Sequence, residues 1–173
     1  YMAEISKATG RDYKPFNYYG APDAERIIIA MGSICPISEE TIDYLNAKGE
    51  KVGIVSVHLF RPFSEKYFFD VFPKTVKKIA VLDRTKEPGS VGEPLLQDIQ
   101  SIFYGKENAP VIVGGRYGLS SKDTTPAQVV AVFENLKLDQ PKNKFTVGIV
   151  DDVTFTSLEV GAPISVTSPD VKE

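Results

Sequence analysis

The chain has 173 residues, 42% of them hydrophobic and 25% charged, which supports one domain with one sizeable core and excludes the disordered class. Its formal net charge of −3 excludes a general phosphate-backbone binder, which depends on clustered Lys and Arg, so no nucleic-acid partner is expected. A single cysteine, Cys35, and a single histidine, His58, exclude an internal disulfide and a closed structural metal site; with no run of about 20 apolar residues and no signal-peptide pattern, a reducing cytoplasm without membrane contact is the expected location.

Residues 2–8 predict a short helix that stops at Gly10, and Pro15 ends any continuation. RIIIAM (26–31) is a continuous, largely β-branched run. Gly32 and Ser33 then turn into a helix opened near Pro36 and closed by Gly49. The same pattern returns in KVGIVSVHLF (51–60), broken at Arg61-Pro62 and followed by a helix from Ser64 to about Phe72 that Pro73 ends. KKIAVLD (77–83) leads through a polar, glycine-rich loop to a helix beginning at Pro94, where Leu95, Leu96, Ile99, Ile102 and Phe103 share one face. PVIVGG (110–115) leads to a helix with a capping box, Thr125 as N-cap and Gln128 three residues on, burying Val129, Val130, Phe133 and Leu136. FTVGIV (145–150) is a last strand candidate.

Nearly unbroken apolar strands are buried on both faces, and the helices between them supply the cover, which predicts a largely parallel sheet in a three-layer α/β/α sandwich. Right-handed crossovers fix most of its topology. Ligands in such sheets gather beyond the carboxyl ends of the strands, so the loops 32–36, 58–64, 83–93 and 114–125 are expected on one rim. The expected division is a linker over 1–19, the α/β domain over 20–155 and an extended tail over 156–173. The opening at Tyr1 and the polar stretch from Gly161 predict a piece of something longer.

Candidate chemistry is sparse. Cys35 lies where a helix start would lower a thiol pKa, but with no nameable base the favoured reading is a small residue tucked under the helix; a Cys35 nucleophile is the weaker alternative. His58 reads as a hydrogen-bonded rim residue. Arg61 either pairs with a carboxylate or faces an interface, while Phe63 pins the next helix. The loop 84–92 carries Arg84 and Lys86 ahead of a helix N-terminus, without matching a Walker loop or G-x-G-x-x-G. The stretch 114–122 carries Arg116, Ser120, Ser121 and Lys122. These six residues are the candidates for anion or coenzyme A binding, with subunit docking as the competing role. Asp151 and Asp152 point to opposite faces of a strand and make no acid/base pair. No catalytic residue and no metal ligand is assigned.

The segments TGRDYKPFNYYGAPDAERIIIAMGS (9–33), ETIDYLNAKGEKVGIVSVHLFRPFS (40–64), AVLDRTKEPGSVGEPL (80–95), GGRYGLSSKDTTPAQVVAVFENL (114–136) and FTVGIVDDVT (145–154), in that order, resemble the pyruvate:ferredoxin (or flavodoxin) oxidoreductases. The resemblance is to one internal domain, similar to the C-terminal domain of transketolases. It implies a mixed five-stranded sheet with one antiparallel strand, FNYYG (16–20), and FTVGIVD as an addition or an edge. It also implies a parent that oxidatively decarboxylates pyruvate to acetyl-CoA and CO2 with thiamine diphosphate, Mg2+ and [4Fe-4S] clusters, passing electrons to ferredoxin or flavodoxin. One cysteine cannot hold a cluster that takes four, so the implied role here is a noncatalytic structural and interface domain. It would carry no cofactor of its own, and its partners would be the other domains and the dimer mate.

Overall fold

The computed structural model describes residues 1–150 and 153–166. Helix α1 (Met2–Thr9) precedes strand β1 (Phe16–Gly20). Strands and helices then alternate: β2 (Arg26–Ala30), α2 (Ile34–Ala47), β3 (Val52–Val57), α3 (Glu65–Val71), β4 (Lys78–Asp83), α4 (Pro94–Phe103), β5 (Val111–Arg116), α5 (Pro126–Lys137) and β6 (Phe145–Thr146). Helix α1 ends where Gly10 adopts φ 70, the left-handed conformation that glycine reaches without a Cβ penalty.

The sheet runs β1-β3-β2-β4-β5-β6. β1 is antiparallel to β3, and all other pairs are parallel. The sheet therefore has six strands rather than the expected five, because Phe145 and Thr146 pair with Gly115 and Arg116. β6 is far shorter than the apolar run 145–150 predicts, and Gly148 follows with φ 91. Asp151 and Asp152 lie outside the described residues.

Strand alternation divides the apolar interior in two. Ile28, Ala30, Val52, Ile54, Ala80 and Leu82 face α2 and α5, where they meet Ile42, Leu45, Val132, Phe133 and Leu136. Ile27, Ile29, Val55, Val57, Ile79 and Val81 face α3 and α4, where they meet Phe68, Leu95, Ile99 and Phe103. On that second side Phe68 touches five other phenylalanine rings, those of Phe16, Phe63, Phe69, Phe72 and Phe103.

The helix faces also fix the crossovers. β2-α2-β3 runs toward the β1 edge with its helix on one face. β3-α3-β4 and β4-α4-β5 run the other way with their helices on the opposite face, so these three share one hand. β5-α5-β6 runs toward the β6 edge with α5 beside α2, so it has the opposite hand and is the exception to the right-handed rule. The connection is stitched locally. Asn135 exchanges hydrogen bonds with Lys142 (3.0 and 2.9 Å), and Gly114 N–H donates to Asn143 Oδ1 (2.8 Å). The bare face of Gly115 receives the Phe145 ring, which a Cβ there would meet at 2.2 Å.

Candidate functional site

β2 connects to β3 on one side while β4 connects to β5 on the other, so the strand order reverses between β2 and β4. The crevice beyond their carboxyl ends is where open α/β sheets place ligands. Three of the four loops expected on this rim touch there: those after β2, β4 and β5.

The loop after β4 begins with a buried carboxylate. Asp83 accepts hydrogen bonds from Leu95 N–H (3.1 Å) and Leu96 N–H (3.2 Å), the second and third residues of α4. Helix N-termini leave such donors without intrahelical partners, and the N-cap residue Glu93 makes no side-chain cap bond of its own. Asp83 caps the helix from the preceding strand. Burial raises its pKa above the usual Asp value, with the two backbone donors opposing and the charges of Glu93 and Asp98 adding to the rise. Glu93 is 2% exposed and pairs with Arg116 Nε at 2.6 Å, while Arg116 Nη1 also donates to Lys144 O (3.2 Å). The α4 N-terminus is thus filled by the protein's own carboxylates.

On the opposite wall, Tyr117 Oη donates to Met31 O (3.0 Å), fastening the β5 exit to the β2 exit; its pKa is raised, chiefly by burial. Cys35 is buried in the first turn of α2, with Sγ 3.7 Å from Ala30 O. Burial pushes its thiol pKa up against a smaller opposing effect of the Ser56 hydroxyl, so the group stays a thiol and matches the reading of a small tucked residue. His58 is exposed just past the end of β3. Arg61 pairs with Asp98 (2.6 Å) and stacks over the Phe60 ring, and Phe63 packs on Phe16 at 5.1 Å.

The six anion candidates divide on this geometry. Arg84 lies across Gly118, its Nε donating to Gly118 O (3.4 Å) and its Nη1 to Ser33 Oγ (3.4 Å). It thereby joins the turn carrying Ser120, Ser121 and Lys122 to the start of α2. Ser120 and Ser121 sit at φ 58 and φ 55, a left-handed pair that non-glycine residues adopt at a cost of roughly 1 kcal/mol each. Lys86 and Lys122 are exposed and make no ion pair among the described residues. Arg116 turns away to Glu93.

The Asp83 cap, the Glu93–Arg116 pair and the Tyr117 clamp were not foreseen from sequence. The one signal was a strand-final Asp ahead of a helix that opens Glu-Pro without a Ser, Thr, Asn or Asp cap. Among the described residues no group of three or more His, Cys, Asp and Glu side chains could hold a metal ion, and no helix is long and apolar enough to cross a membrane.

Residues 24–129 match the family described as pyruvate:ferredoxin oxidoreductase core domain II. The chain is 63% identical over 158 residues to a pyruvate-flavodoxin oxidoreductase of Enterobacter agglomerans, covering 91% of this chain and 14% of that protein. It is 58% identical over 168 residues to a pyruvate:ferredoxin oxidoreductase of Moorella thermoacetica, covering 97% of this chain and 14% of that protein. Among solved structures, a 2-oxoglutarate:ferredoxin oxidoreductase from Magnetococcus marinus, with 2-oxoglutarate, coenzyme A and succinyl-CoA bound, superposes with a TM-score of 0.51 at 23% identity. That likeness covers 76% of this chain and 21% of the other, and it concerns the fold. The chain spans about 14% of the length of these curated relatives.

Proposed function

The chain belongs to the pyruvate:ferredoxin oxidoreductase core domain II family, and from that premise we propose that it is a noncatalytic structural and interface domain of a longer oxidoreductase. The parent reaction is the oxidative decarboxylation of pyruvate to acetyl-CoA and CO2, with electrons passed to ferredoxin or flavodoxin. Thiamine diphosphate with its Mg2+, and the [4Fe-4S] clusters, are held elsewhere in that polypeptide. A cluster of that kind takes four thiolates, and this chain offers one buried thiol. The residues here therefore hold and present surfaces to neighbouring domains and to a dimer mate.

The observation that carries this reading is the placement of exposed apolar side chains. One groove of about 880 Å3 runs between α1, the segment 12–16 and α3, lined by Met2, Tyr13, Leu59, Tyr67 and Val71. A second, of about 630 Å3, lies beside α5 and is lined by Leu138, Val150, Phe155 and Leu158. Phe155 is 75% exposed, Tyr67 51% and Leu138 54%. Exposed apolar side chains gathered in grooves with polar residues among them, such as Asp12 and Lys14 in the first and Glu134 and Lys142 in the second, mark contact sites, and interfaces between domains of one polypeptide have this mixed character.

Hydroxyl-radical footprinting tests the proposal. In the 173-residue chain Tyr13, Tyr67 and Phe155 should label readily, and in the full-length enzyme that contains this domain they should be protected severalfold. Equal labelling of all three in both samples would refute the interface reading.

A further inference from the structure

Near its β1 edge the sheet meets α2 through polar side chains. Successive residues of a strand point to opposite faces, so Phe16 and Tyr18 enter the phenylalanine layer while Asn17 and Tyr19 face α2. Tyr19 is fastened there, its hydroxyl lying 2.9 and 2.8 Å from the two carboxylate oxygens of Asp43. Asn17 stands opposite Ser56 in the β1–β3 ladder, and Ser56 follows Val52 and Ile54 on the face of β3 that α2 covers. The buried stripe of α2 carries Ser38 between Ile34 and Ile42. Asn17 Oδ1, Ser38 Oγ and Ser56 Oγ are all buried, and none has a hydrogen-bond partner among the described residues. Ser38 is 0% exposed and Ser56 3%. Among the described residues one further side-chain atom is in this condition, Arg26 Nη1, at the opposite end of the strands beside Glu50.

Two fixed points set the height of α2 over the sheet. At its start Cys35 Sγ directs its proton at Ala30 O (3.7 Å), and Ala30 is the register neighbour of Ser56 on β2; the Ser56 hydroxyl is near enough to the thiol to act on it. Toward its end the Asn46 side chain accepts from Val52 N–H and donates to Val52 O, each at 3.1 Å. α2 therefore descends antiparallel to β3. Ser38 lies three residues below Cys35, about 4.5 Å along the helix axis, and a strand advances about 3.3 Å per residue, which places Ser38 between the levels of Ser56 and Ile54. The bond from Tyr19 to Asp43 shows that α2 reaches β1 as well as β3. The three unpartnered oxygens thus border one seam, enclosed by α2 above and by β1 and β3 below.

We propose that this seam is an internal hydration site, in which one or two ordered waters bridge Asn17 Oδ1, Ser38 Oγ and Ser56 Oγ and tie the edge strand β1 to α2. Buried polar groups left unmet destabilise a fold, and internal waters are held by two to four bonds to groups of this kind. The chemistry of the three atoms selects water. Two hydroxyls bring protons as well as lone pairs, and the amide oxygen brings lone pairs alone, so the occupant must donate and accept. Water does both, whereas a cation meets only the lone pairs and an apolar ligand meets neither. On this side β1 gives the core no apolar residue, so bound water and the bond from Tyr19 to Asp43 hold what packing holds elsewhere in the sheet. The site is internal and is independent of the domain interfaces proposed above.

Oxygen-17 magnetic relaxation dispersion on the 173-residue chain tests it, because that signal comes from long-lived water and not from exchanging hydroxyl protons. The dispersion amplitude of the parent should exceed that of the variant Asn17→Leu with Ser38→Ala and Ser56→Val by the equivalent of one or two waters. Equal amplitudes in the two folded proteins overturn the proposal. Thermal unfolding of single variants gives a second readout that does not depend on the triple replacement. Ser38→Ala and Ser56→Ala each withdraw a partner from bound water and should lower the midpoint by about 2–4 °C. Were the hydroxyls dry, the same alanines would remove an unmet polar group and raise the midpoint, and a rise overturns the proposal. A parent midpoint that climbs with K+ or Na+ at fixed ionic strength, and loses that response in Ser56→Ala, overturns it as well and assigns the three oxygens to a cation.

Discussion

Replacing Asp83 by alanine removes a buried carboxylate and strands the two buried backbone donors of Leu95 and Leu96 that it satisfies. Each buried N–H left without a partner costs about 1–3 kcal/mol, and loss of a helix cap about 1 kcal/mol. Release of the desolvated charge offsets part of this, so the net expectation is a loss of about 2–4 kcal/mol. With a urea dependence of about 1–3 kcal/mol per molar, the unfolding midpoint followed by circular dichroism at pH 7 should fall by roughly 1–2 M. Asp83→Asn keeps the shape and one acceptor and should lose less. It also isolates the proton. The folded-state pKa of Asp83 is raised, mainly by burial, so the folded protein binds that proton more tightly than the unfolded chain does. Its contribution is therefore fully present below the ordinary Asp value near 3.9, declines as pH rises through the raised folded value, and is flat above it. The stability gap between the parent and Asp83→Asn should narrow over that window. A loss below about 0.5 kcal/mol for Asp83→Ala, or a gap that widens with pH, would refute the cap as described.

Three further perturbations follow from the packing. Gly115→Ala places a Cβ 2.2 Å from the Phe145 ring and 2.8 Å from Leu82. It should cost about 1–3 kcal/mol and strip exchange protection from Thr146 and Leu158, with Phe145→Leu restoring part of it. Arg116→Ala leaves Glu93 buried without its cation and should cost about 3–5 kcal/mol in chemical denaturation, whereas Arg116→Met with Glu93→Gln should recover most of the loss. Phe68→Ala empties the centre of the ring cluster and should cost about 3–5 kcal/mol in thermal unfolding, with Phe68→Leu far milder.

The elements that were legible in the sequence are those whose signals are local. The β-branched run at 26–31, the stop at Gly10, the Pro94 start and the capping box of Thr125 with Gln128 all sit where the residues put them, because propensity, φ preference and a three-residue hydrogen bond act within one turn of chain. The antiparallel sense of β1 has no local signal. Five residues pair equally well in either direction, and the family resemblance supplied the answer that periodicity could not. The run 145–150 reads as a strand throughout, but only Phe145 and Thr146 find a ladder, since the bare Gly115 face sets where the chain can dock. The rim was the least legible region. Arg116 reads as a cation among serines until the fold brings Glu93, 23 positions away, to within 2.6 Å. Asp83 reads as the end of a strand until α4 swings its amides over it. Which charges neutralise each other is decided by the order of strands in the sheet, and that order is not written in composition or spacing.

The division of the apolar interior by the sheet has a thermodynamic consequence. Among the described residues, side chains facing α2 and α5, such as Ile42 and Phe133, form one packed cluster and those facing α3 and α4, such as Phe68 and Ile99, form another, with the strand backbones between them. Energetic coupling needs contact, a shared cavity or a shared backbone shift, so truncations on opposite faces that leave the strands in place should sum to within about 0.5 kcal/mol, while pairs in contact on one face should not. Gly114 and Gly115 are the place to look for an exception. A Cβ on one would meet Leu96 and on the other Phe145, so at that point the sheet is thin enough for one layer to feel the other.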